Sequence, residues 1–135
     1  MSGKIQVVVN APRVQKSFDA KATKSAADLF AKALGKALDG GDIEVVRRVK
    51  DKGFEVNPTI QDITYEEKKR QVNAKVQIEL AELPGPKMFS AARGGAGVTG
   101  VDLRRPDPSL KDLFDSLAED LGAKAAKAIG SRVDA

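Results

Sequence analysis

Hydrophobic and polar residues alternate without a break in one segment of the chain: Val72, Ala74, Val76, Ile78 and Leu80 against Asn73, Lys75, Gln77, Glu79 and Ala81. A two-residue period sends the two sets to opposite faces, so residues 72–83 predict a strand with one buried and one wet side. Two other segments change to a period of three and four. Ala26, Leu29, Phe30, Ala33, Leu34, Ala37 and Leu38 form one stripe, and Leu110, Leu113, Phe114, Leu117, Leu121, Ala125, Ala128 and Ile129 form a longer one. These spacings predict amphipathic helices over 23–38 and from Asp107 onward.

The helix boundaries carry local signals. Ser25-Ala26-Ala27-Asp28 has the Ser-x-x-acid form of an N-terminal cap, and Gly40-Gly41 supplies a stop. Asp107 and Pro108 suit the cap and first turn of the second helix. Further strands are expected at 4–10, 44–48, 54–65 and 88–92, with Gly97–Val101 as a candidate continuation. Residues 11–22 read as a connector. The alternation slips near Asn57-Pro58, as at a bulge or an edge. Glu66–Arg70 reads as a charged hairpin turn, and Pro84-Gly85-Pro86 closes the strand that follows.

A strand, a helix, several antiparallel strands and a closing helix can satisfy their apolar faces together only by stacking. The expected fold is α+β, a two-layer sandwich. It has a mostly antiparallel sheet of four or five strands with two amphipathic helices on one face, as one domain over residues 1–135.

Composition narrows the chemistry. Hydrophobic residues make up 41% and charged residues 31% of 135, enough apolar content for a core. With no Cys and no His, thiolate metal sites, cysteine nucleophiles and a Ser-His-Asp triad are excluded. No apolar run approaches bilayer length, and Met1-Ser2-Gly3-Lys4-Ile5 lacks the order of a secretory signal. The chain therefore reads as soluble.

Gly95-Ala96-Gly97-Val98-Thr99-Gly100 has the G-x-G-x-x-G spacing of dinucleotide sites, but Val101–Pro106 cannot open the helix that chemistry requires. Gly97–Gly100 has the G-x-x-G form of an RNA clamp, yet leaves a strand where that clamp joins two helices. The segment reads as a flexible loop or bulged strand. The carboxylate pairs Asp39 with Asp42 and Glu66 with Glu67 lack apolar surroundings, so they read as cap and turn residues. No catalytic residue, metal ligand or cofactor is expected.

The net charge is +4, with basic clusters at Arg47 and Arg48, at Lys68, Lys69 and Arg70, and at Arg104 and Arg105. Converging on one face they could contact an anionic or protein partner. Their acidic neighbours and the lack of interleaved aromatics favour solvated turns.

The succession Lys4–Asn10, Ser25–Arg48, Arg70–Gly100 and Asp107–Ile129 resembles the small α/β domains of bacterial envelope lipoproteins. The families concerned are the curli-secretion lipoprotein, the penicillin-binding-protein activator lipoproteins, and similar domains attached to HEAT-repeat proteins. The resemblance implies a sheet edge or face used for protein contacts.

The function expected is a non-enzymatic protein-interaction or assembly module of the bacterial cell envelope. Its partner would be another protein or further copies of itself. Its location would be periplasmic or envelope-associated if a signal was removed, otherwise cytoplasmic. The alternative is a cytoplasmic nucleic-acid-binding domain using the basic clusters.

Overall fold

A computed structural model describes residues 4–105 and 107–134. The reading of Met1–Gly3 and the capping side chain of Asp107 lie outside the described residues. The elements run β1 (Ile5–Val9), β2 (Arg13–Val14), α1 (Ala20–Leu38), β3 (Ile43–Val45), β4 (Gly53–Glu66), β5 (Gln71–Leu83), β6 (Lys87–Val98) and α2 (Asp107–Asp134).

The class is α+β, with both helices packed against one sheet. That sheet is open, with spatial order β3-β1-β4-β5-β6 and β2 beside β4. The long β4, β5 and β6 form an antiparallel meander, while β1 pairs parallel with both β3 and β4. The parallel pairing of β1 with β3 follows from the chain between them, because α1 returns it to the same end of the sheet.

The alternation of β5 is realised as far as Leu80: Val72, Ala74, Val76, Ile78 and Leu80 are buried beneath the helices, while Ala81, expected on the wet side, is buried too where the pairing with β6 shifts register. Phe54, Val56, Ile60 and Ile63 of β4 join them. Between the helices, the rings of Phe30 and Phe114 meet at 5.5 Å between centroids, both fully buried.

Small residues set how closely these layers approach. A Cβ on Gly122 of α2 would lie 2.8 Å from the Ala37 Cβ of α1, so the helices cross where one has no side chain. At Gly94 of β6 a Cβ would meet Leu117 of α2 at 3.5 Å, an ordinary packing distance, so α2 lies directly over this part of the strand.

Four local readings are corrected. Helix α1 begins at Ala20, capped by Asp19, whose Oδ2 accepts the Ala22 N–H at 2.9 Å; Ser25 lies inside the helix. The first turn buries only Ala22, too small a signal to extend the stripe. Residues 11–22 are not all connector, since Arg13 and Val14 pair with Thr59 and Ile60. The β4 bulge falls between Ile60 and Asp62, and not at Asn57-Pro58. Pro58 sits where β1 has ended and β2 has not begun, a position where a missing N–H costs least.

The fourth correction concerns the glycines. Gly94, Gly95 and Gly97 form no loop; they lie within the continuous strand β6. A Cβ on Gly97 would collide with the Asn73 Oδ1, so the β5 side chain folds over the bare backbone of β6.

Phe114→Ala should lower unfolding stability by about 3–5 kcal/mol, read from urea denaturation. Gly122→Val should cost about 1–3 kcal/mol by forcing α1 and α2 apart, despite its better conformational entropy.

Candidate interaction site

An open sheet has two edges, and each presents backbone N–H and C=O groups that need partners. The β3 edge is closed locally. Gly40 and Ile43 exchange two backbone hydrogen bonds at 2.9 and 3.0 Å, and the Asp39 carboxylate accepts the Val45 N–H at 3.0 Å. Asp39, expected to be a cap or turn residue, thus serves both as the C-cap of α1 and as a cover for β3.

The opposite edge is β6, twelve residues long. Its inner side pairs with β5 from Glu82↔Lys87 to Val72↔Val98. Among the described residues, no backbone hydrogen bond reaches its outer side. The usual guards of an edge are sparse: no Pro interrupts it, and after Lys87 its only charge is Arg93. Ala91, Gly95 and Gly97 leave its solvent face almost bare, and Met88 near its start is 62% exposed. Beside it, Phe89, Ser90, Ala128, Ser131 and Arg132 line a ledge of about 350 Å³ between the strand and the end of α2. The Arg132 guanidinium lies over the Phe89 ring at 5.6 Å and bonds Glu82 at 2.9 Å.

The outer sheet face is polar and internally bonded. Asn10 donates to Asn57 at 2.7 Å and to Glu55 at 3.2 Å, and Gln61 donates to Gln77, which donates to Glu79. Asn10, Arg13, Gln15, Glu55, Asn57 and Glu79 surround a cleft of about 560 Å³ on this face. Sequence reading missed it, because β1 and β2 come together over β4 only through parallel pairing.

The basic residues divide between the two ends of the sheet. Lys68, Lys69 and Arg70 occupy the β4–β5 turn, and the Arg70 carbonyl accepts the Val101 N–H, which brings the Arg104 and Arg105 loop alongside. Arg47 and Arg48 line a different cleft with Leu83 and Pro84, at the far end of β5. Thirteen strand residues, about 40 Å, separate the two groups, so the clusters do not form one continuous surface. Asp102 is held below the usual carboxylate range chiefly by the Arg104 backbone N–H, at 2.9 Å, with the Arg104 charge assisting.

No family model and no curated protein matches the chain. Solved structures share its fold. A Xanthomonas campestris protein of the DUF330 family aligns over 97% of this chain and 88% of its own, with 11% identity and a TM-score of 0.70. The PelC L103M dodecamer of Paraburkholderia phytofirmans aligns over 89% and 87%, with 15% identity and a TM-score of 0.56. A candidate lipoprotein of Caulobacter crescentus aligns over 95% and 90%, with 9% identity and a TM-score of 0.53. The chain is thus built on a fold found in bacterial proteins, lipoprotein-type proteins among them. No helix among the described residues is long and apolar enough to cross a membrane.

Asp39→Ala should free the Val45 N–H, lowering stability by about 1 kcal/mol and speeding exchange of that amide in hydrogen-exchange NMR.

Proposed function

We propose that this chain is a non-enzymatic interaction or assembly module of the bacterial cell envelope, docking on a protein partner or on further copies of itself through β6. The observation that carries this reading is the contrast between edges: β3 is covered by Gly40 and Asp39, whereas the outward row of the twelve-residue β6 is left unpaired. Adding a strand there supplies main-chain hydrogen bonds, and the ledge beside Phe89 receives alternate side chains.

The lipoprotein-type fold supports an envelope setting, of the kind implied by the resemblance to curli-secretion and penicillin-binding-protein activator lipoproteins. The dodecameric state of PelC, on a similar fold, supports assembly. The separation of the basic residues weighs against nucleic-acid binding, which needs neutralising groups along one path.

Ala91→Lys combined with Gly95→Lys places gatekeeper charges on the β6 edge without touching the core. Wild-type protein should self-associate in sedimentation equilibrium or retain a defined envelope protein on an affinity column. The double variant should lose that binding while keeping its circular dichroism. Equal behaviour of the two proteins, or salt-dependent binding to DNA or RNA by both, would count against the reading.

A further inference from the structure

We propose that the occupant of the β6 edge is a second copy of this chain, joined by antiparallel β6–β6 pairing about a two-fold axis at Ala92. This deepens the assembly reading and rests on it.

Closure of the β3 edge excludes sheet extension from β6 of one copy to β3 of the next. The other strand flanking β4, β2, is only two residues long, which leaves β6 with β6 as the extended edge pairing between copies, an isologous contact that ends at two copies.

Charge selects the register. Residues of like parity must face each other, so that outer-face residues stay on one side. With Arg93 at the axis, two guanidinium groups would stand directly opposed, which is unfavourable. With Gly94 at the axis, Arg93 would face Gly95 of the second copy, whose neighbour on β5 is Lys75. With Ala92 at the axis, Arg93 faces Ala91 of the second copy, whose neighbour on β5 is Glu79. Arg93 and that Glu79 then stand two strand spacings apart, about 10 Å between backbones, within the joint reach of their side chains. The methyl of Ala91 between them obstructs nothing.

Both groups are available. Among the described residues neither Arg93 nor Glu79 is in an ion pair, and Glu79 accepts a hydrogen bond only from Gln77. The two-fold axis makes the contact twice. On the helix side the same register sets Ser90 against Gly94 of the second copy, so small residues meet where the two α2 helices approach.

The test is sedimentation equilibrium of the whole chain across the micromolar range, with wild type, Arg93→Glu, Glu79→Arg and the double reversal. Wild type should be a dimer. Each single reversal should weaken it by at least about tenfold, since like charges then face each other at both contacts, and the double reversal should restore it. Melting curves taken at dilution should be alike for all four, which separates lost pairing from lost folding. A monomeric wild type, an assembly larger than two, or a double reversal as weak as the singles would overturn the proposal. If wild type is monomeric yet β6 lysines abolish capture of a different protein, the second copy is excluded while edge docking stands.

Discussion

Covering one side of the β4–β5–β6 meander is the constraint on which the rest of the structure depends. Its inward residues, from Phe54 and Val56 to Ile78 and Leu80, are large and apolar, and they stay out of water only while α1 and α2 lie across them. The helices must therefore contact each other as well as the sheet, and the Phe30–Phe114 contact fills the space where three surfaces meet. Gly122 belongs to the same requirement, since a Cβ there would meet that of Ala37 at 2.8 Å and hold α2 off α1.

That arrangement leaves two surfaces without a covering layer. The outer face resolves its polarity internally, with Asn10, Asn57 and Glu55 bonding one another and Gln61, Gln77 and Glu79 forming a second chain. The edges differ more sharply. At β3 the chain turns back through Gly40 and Gly41, whose positive φ angles place the Asp39 carboxylate and the Gly40 carbonyl against the strand. At β6 nothing comparable occurs among the described residues, and Ala91, Gly95 and Gly97 leave its outer side accessible.

Much of the fold was legible because periodicity is a local property. The stripe of α2 and the alternation of β5 as far as Leu80 appear in the structure as read, and the turn read at Glu66–Arg70 falls at residues 67–70, following from its charged, strand-breaking residues. Legibility failed where the local signal was small or mixed. Ala22 is too small to announce the first turn of α1, and Asp19 was hidden among Lys and Ser. The glycines of β6 resembled a loop because glycine carries no strand preference of its own; only the Asn73 side chain lying over Gly97 shows why a bare backbone suits that position.

The amino-acid sequence by itself determined the strongly periodic elements, α1, α2 and β5, and their buried faces, because each depends on neighbours within a turn or a pleat. The absence of Cys and His likewise removed the chemistries that need them. Only the tertiary structure decided which strands became edges, that Asp39 would cover one of them, and that the basic clusters would stand at opposite ends. Those outcomes depend on pairings between residues distant along the chain, such as Val7 with Phe54 and Ile5 with Ile43, for which no local pattern codes.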